Sequence, residues 1–107
     1  MTRTSHPRTQ HSIAFYRAVL TLLIDSVRQG LTHRRIAALL NDSRLPAPSG
    51  AAWSTNSVRV ALHKLRWPDT HPSKLFQALT RLHYMGLLSK DDCQVLTAHK
   101  GYTEVLL

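Results

Sequence analysis

The sequence predicts an all-α protein, a compact bundle of about five helices, and three observations carry that expectation. Apolar residues recur at three- and four-residue steps through successive segments. A Ser or Thr stands at the start of four of those segments, and a Gly, Pro or Asn near their ends. No stretch makes a convincing strand. A chain of 107 residues supports one domain with a modest core and is short for two.

The basic opening "MTRTSHPRTQHS" reads as an arm, with residues 1–9 expected to be flexible and residues 10–101 to form the single folded domain. Helix 1 is expected over about Gln10 to Gln29. Ile13, Tyr16, Leu20, Leu23 and Val27 share one stripe, Phe15, Val19 and Leu22 widen it, and Gly30 suits the left-handed residue that ends a helix. So broad an apolar surface belongs to a helix at the centre of a core, or to one that also forms a dimer seam. Helix 2 begins behind Thr32, whose hydroxyl can cap it, and is expected to run to about Leu40 with Ile36, Leu39 and Leu40 inward. Asn41, which tolerates the left-handed conformation, is the expected stop.

From Asp42 to Trp53 the residues Pro46, Pro48 and Gly50 dictate a structured loop. Ser54 caps helix 3, Thr55 to about Arg66, and Trp67-Pro68 closes it because the residue before a proline avoids helical angles. Helix 4 follows Pro72 with Ser73 in its first turn, carries Leu75, Phe76, Leu79 and Leu82, and stops at Gly86. Helix 5 has the spacing of a capping box, Ser89 to Asp92, and is expected to end near Gly101. The tail "YTEVLL", residues 102–107, fits a frayed end, a short strand or a docking segment alike.

Charge is distributed unevenly along this plan. Ten of the fourteen Lys and Arg residues, and two of the six acidic ones, lie within residues 1–66, so the net charge of +8 resides there and residues 67–107 are neutral. A polyanion binds such a surface by releasing counterions, which makes nucleic acid the leading partner and anionic lipid a distant second. No apolar run approaches the roughly 18 residues of a membrane span, and the opening segment lacks the pattern of a secretory signal. With Cys93 as the one cysteine there is no internal disulfide to form, and a cytoplasmic location is expected.

Helix 3 concentrates the functional signal. Val58, Ala61, Leu62 and Leu65 lie at i, i+3, i+4 and i+7 and must face the core, which leaves Asn56, Arg59, His63 and Arg66 outward. A helix that packs one face on a partner and presents its first turns outward has the layout of a DNA recognition helix. Asn can pair with adenine and Arg with guanine, so Thr55, Asn56, Arg59 and His63 are the candidate base-reading residues. Arg34 and Arg35 stand in the first turn of helix 2, where side chains and backbone amides can hold a phosphate together, and Ser54, Lys64 and Arg66 complete the candidate phosphate contacts. Trp53 reads as a packing residue beside the proline loop.

The segment "HRRIAALLNDSRLPAPSGAAWSTNSVRVAL" resembles the helix-turn-helix-like part of the "recombinase" domain that follows the catalytic domain in large serine recombinases. The shared pattern is Ile36-Ala37, Leu40-Asn41, a Pro-containing loop with Gly50, Trp53-Ser54, and Val58 and Leu62 on the next helix, over about a third of the chain. This resemblance implies a DNA-binding helical module with the helix after Ser54 as groove reader. It departs from the family in holding nothing before helix 2 that resembles a catalytic domain with its nucleophilic serine, so it implies binding and not strand cleavage.

Other chemistry finds little footing. The seven histidines show no metal-ligand spacing, and Asp91 and Asp92, adjacent on a helix, point about 100° apart and suit a helix N-terminus better than acid/base work. No phosphate loop or nucleophile elbow is present, and Cys93 reads as a small apolar residue. The expectation is a non-enzymatic, homodimeric binder of double-stranded DNA, without cofactor, metal, membrane or evident small-molecule substrate. It would serve as a small transcriptional regulator or as an accessory factor of a phage or mobile element. The alternative is an adaptor or inhibitor that binds another protein through its apolar helices and basic face. RNA binding is disfavoured by the few aromatic residues on the basic segment.

Overall fold

The computed structural model describes residues 11–98, and among them five helices and no strand. They are α1 (Ile13–Arg28), α2 (His33–Asp42), α3 (Thr55–Arg66), α4 (Lys74–Tyr84) and α5 (Lys90–Thr97). The arm at residues 1–9, Gln10, Gly101 and the tail at 102–107 lie outside the described residues.

Every one of these helices starts on a hydroxyl. Ser12, Thr32, Ser54, Ser73 and Ser89 each accept a hydrogen bond from the backbone N–H three residues on, an arrangement that stabilises a helix by about 1 kcal/mol per cap. Ser54 and Ser89 extend it to full capping boxes with Ser57 and Asp92. The hydroxyls also correct three boundaries. The described part of α1 starts at Ile13 behind Ser12, later than the expected Gln10. Ser73 is the cap of α4 and not part of its first turn. α5 ends at Thr97, short of the expected Gly101.

Helix ends follow a second local rule. Gly30 and Gly86 are left-handed, and the paired bonds Gly30 N–H to Val27 and Leu31 N–H to Ser26, then Gly86 N–H to His83 and Leu87 N–H to Leu82, close α1 and α4. α2 uses the same device with a different residue. Asn41 stays helical, α2 continues to Asp42, and the left-handed position falls on Arg44 with φ 59°. The stop expected at Asn41 is therefore displaced by three residues, because the Asn41 side chain is occupied elsewhere, as described below.

The core assembles on α1, whose buried Val19, Leu20, Leu23 and Ile24 pack against α2, α4 and α5. α3 packs on α2, α4 and α5 through Val58, Leu62 and Leu65, each at most 2% exposed. Burial of one such side chain is worth about 1.5–3 kcal/mol, and these residues belong to one continuous core with those of α2, α4 and α5. The apolar face of α1 is thus spent inside the bundle. What it leaves outward includes Ala14, Arg17, Ala18, Thr21 and Asp25.

The connection between α2 and α3, residues 43–54, is bonded throughout. Asn41 reaches across with its amide: Nδ2 donates to the Trp53 carbonyl at 2.9 Å, and the Trp53 N–H donates to Oδ1 at 2.9 Å. The buried Trp53 indole donates from Nε1 to the Leu45 carbonyl at 2.8 Å. Ala47 N–H donates to Ala51 and Gly50 N–H to Ala47, which folds the proline stretch into a tight turn with Gly50 at φ 95°. His11 donates from Nε2 to the Pro48 carbonyl at 2.7 Å while its ring stacks on Phe15, tying the start of α1 to the loop. The loop is consequently a rigid spacer that sets where α3 begins relative to α2.

Candidate nucleic-acid interface

α2 and α3 pack on each other, and the first turns of both present exposed polar and basic side chains. His33, Arg34 and Arg35 form the first turn of α2, with both arginines exposed and the Arg35 N–H bound to the Thr32 hydroxyl at 3.1 Å. Thr55, Asn56 and Arg59 stand exposed on the first turns of α3. Arg59 donates from Nη2 to Asn56 Oδ1 at 2.6 Å, so two of the four residues predicted to read bases are bonded to each other. His33 is half-buried, and burial, followed by the charge of Arg59, pushes its imidazole below the ordinary histidine range. The neutral ring is therefore favoured against a basic neighbour.

The remaining predicted residues divide between this face and other surroundings. Ser54 is exposed, with its hydroxyl accepting from Ser57 N–H at 3.0 Å and its own N–H donating to the Ser57 hydroxyl at 2.8 Å. Its hydroxyl proton is what it has left to offer a phosphate. His63 and Arg66, expected outward, are half-buried instead. The His63 ring lies 5.1 Å from that of His71, and the Arg66 guanidinium lies 5.4 Å above the Trp67 ring. The segment after α3 folds back along its carboxyl end and covers that part of the outer face. Asn56 and Arg66 are also separated by about 15 Å along the helix axis, so Arg66 does not belong with the first turns of α3, while His63, one turn beyond Arg59, is half-buried against His71. Lys64 is half-buried on a third stripe of α3, beside Val60 and Ala61.

Two residues of this region carried no sequence signal. His33 sits in a run of basic residues where periodicity marks it only as non-core. Asn41 looks like a helix stop, and its role is set by a partner twelve residues away. Among the described residues no group of three or more His, Cys, Asp or Glu side chains converges on a common point, and no helix is long and apolar enough to cross a membrane. Asp91 and Asp92 serve the start of α5. Asp92 accepts from Ser89 N–H and pairs with Arg28 at 3.0 Å, and the Ser89 bond, followed by the Arg28 charge, holds its carboxyl below the usual range. Cys93 is half-buried, with its thiol pushed up by burial and then by Asp92, which favours an unreactive thiol. No family model, no curated protein and no solved structure matches the chain.

Proposed function

We propose that the protein binds double-stranded DNA, with the first turns of α3 reading base edges and the first turn of α2 gripping the adjacent backbone. The observation that carries this reading is the exposed Asn56–Arg59 pair on the first turns of α3, with the exposed Arg34 and Arg35 on the first turn of the helix packed against it and no acidic residue in either turn. An Asn and an Arg held together offer one side chain suited to adenine and one suited to guanine. Two arginines at a helix N-terminus add charge and backbone amides at a site that favours phosphate. The concentration of net charge in residues 1–66 supplies the long-range attraction, and the resemblance to the recombinase-type segment points the same way. Thr55 belongs to the reading face. Ser54 stands beside it as a backbone contact, while Lys64, on another stripe of α3, and His63 and Arg66 are dropped from it.

One such unit makes few contacts, so useful specificity calls for two copies on a symmetric site. The outer face of α1 is the candidate seam, and light scattering with and without duplex tests it. The action inferred is non-catalytic, in the cytoplasm, as a regulator or an accessory factor. A second reading, an adaptor for another protein, finds its support in the exposed Tyr84 and Met85 at the end of α4.

Selection from a random duplex pool at near-physiological salt tests the proposal, followed by Arg59→Ala. Enrichment of a defined sequence is expected, with the variant losing discrimination at one base position by about 1–3 kcal/mol. A pool that stays unenriched, or a variant that weakens all sequences equally, refutes base reading by Arg59.

A further inference from the structure

α3 carries a third stripe beside the reading face, on which Ala61, expected to face the core, is half-buried at the core's edge. Ser57, Val60, Ala61 and Lys64 fall at i, i+3, i+4 and i+7, and they form one wall of a groove of about 400 Å³. The opposite wall is the start of α4 with Lys74 and Leu75, and Trp53 closes the end under the proline loop. Trp53 and Leu75 are 5% and 4% exposed, and with Val60 and Ala61 they make the apolar part of the lining.

The rim has one sign of charge. Lys64 and Lys74 line the groove, no Asp or Glu does, and among the described residues neither lysine has a carboxylate within ion-pair distance. The first amides of α4 add to this. Ser73 accepts the N–H groups of Phe76 and Gln77, whereas the amides of Lys74 and Leu75 have no acceptor within the helix. A cavity of about 300–1,000 Å³ with apolar walls and a few converging polar groups is the usual form of a small-molecule site. A phosphodiester matches the rim and leaves the apolar lining unused. A carboxylate on an apolar body of about ten heavy atoms matches both.

We propose that this groove is a binding site for a small amphipathic organic acid, its carboxylate between Lys64 and Lys74 and its apolar body over Trp53 and Leu75. Asn56 lies on the same rim, so an occupied groove alters the reading face. That consequence rests on the DNA-binding reading; ligand binding itself does not.

The test uses the full chain with Trp67→Phe. This leaves Trp53 as the sole tryptophan and removes the half-exposed indole at the far end of α3. ω-Bromooctanoate is the probe, because its bromine quenches an indole on contact, and ω-bromooctanol is its uncharged counterpart. Saturable quenching is expected, with the acid binding at least about tenfold more tightly than the alcohol. Lys74→Gln, checked for unchanged circular dichroism, should bring the acid to within about threefold of the alcohol. Absence of saturable quenching in the folded protein overturns the proposal. So does equal binding of acid and alcohol, which would assign the groove to an apolar segment of another protein. Loss of duplex affinity in Lys74→Gln without quenching by the acid also overturns it, giving the lysine to the DNA backbone. In a separate arm octanoate is titrated against the protein–duplex complex, where a shift of at least about threefold in duplex affinity supports the linkage. An unchanged affinity alongside intact quenching removes the linkage alone, and a chain that binds no duplex still answers the quenching arm.

Discussion

Replacing Asn41 tests whether the connection between α2 and α3 acts as a rigid spacer. Asn41→Ala removes both bonds to the Trp53 backbone, at 2.9 Å each. A net hydrogen bond contributes about 0.5–1.5 kcal/mol, and Ala regains up to about 0.7 kcal/mol as the better helix former, which leaves an expected loss of about 1–2 kcal/mol. For a domain of this size that is a fall in Tm of about 4–12 °C. Asn41→Asp keeps an acceptor for the Trp53 N–H and turns a carboxylate oxygen toward the Trp53 carbonyl in place of a donor. Only the protonated acid can donate there, so the folded state raises the pKa of this carboxyl. A raised folded pKa contributes stability that is complete below the unfolded value near about 4 and is lost as pH rises through the folded value. The deficit of Asn41→Asp against the native chain is therefore expected to be large at neutral pH and to shrink on acidification, whereas that of Asn41→Ala stays flat. Urea melts at a series of pH values measure both, and amide exchange at Trp53 shows whether the loss is local. An Asn41→Ala protein that melts within about 1 °C of the native one, or an Asn41→Asp deficit independent of pH, refutes the clamp.

Further outcomes follow from the same structure. Arg44 holds φ 59°, a conformation that costs a non-glycine residue about 1–2 kcal/mol. Arg44→Gly should therefore raise stability by up to about 1 kcal/mol in a thermal melt, after the added freedom of the unfolded chain is discounted, and a lower Tm would contradict the assignment. The Asp92 carboxyl is held below its usual range, first by the Ser89 bond. It stabilises the fold above the ordinary carboxylate pKa and loses that contribution as pH falls through the depressed value. Asp92→Asn should cost about 0.5–1 kcal/mol at neutral pH and flatten the acid limb of the stability profile below about pH 4; an unchanged acid limb counts against it. The Arg59 charge helps to hold down the His33 pKa, so Arg59→Ala should raise it in an NMR titration of the ring protons, and no change would separate the two turns. If Arg34 grips the backbone, Arg34→Ala should weaken all duplexes alike and reduce the salt slope by about 1; a change in sequence preference would make it a base reader.

Much of the architecture was legible from residues that act within three or four positions of themselves. Thr32, Ser54 and Ser89 cap amides three residues away, as expected, Ser12 and Ser73 do the same at starts other than those expected, and Gly30 and Gly86 satisfy a backbone conformation at their own position. The inward faces of the helices were equally open to periodicity, because an apolar stripe at helical spacing must be buried wherever its partner stands. The all-α fold and most core residues of α1 and α3 follow from these two short-range rules, whereas Ile24, buried on α1, fell outside the expected stripe and Ala61, expected inward, is half-buried.

Only the tertiary structure decided how the outer faces are divided. Periodicity marks Asn56, Arg59, His63 and Arg66 alike as non-core. The segment from Trp67 to His71 covers the last two and leaves the first two exposed. The stripe of Ser57, Val60, Ala61 and Lys64 becomes a groove wall only because α4 begins beside it. Asn41 gave up the role of helix stop because Trp53, distant in sequence, offers its backbone to the side chain, and the left-handed position passed to Arg44. The physical reason is common to all three. A local signal reports what one residue can do, whereas which option it takes depends on what docks against it, and docking is settled by the packing of the whole bundle.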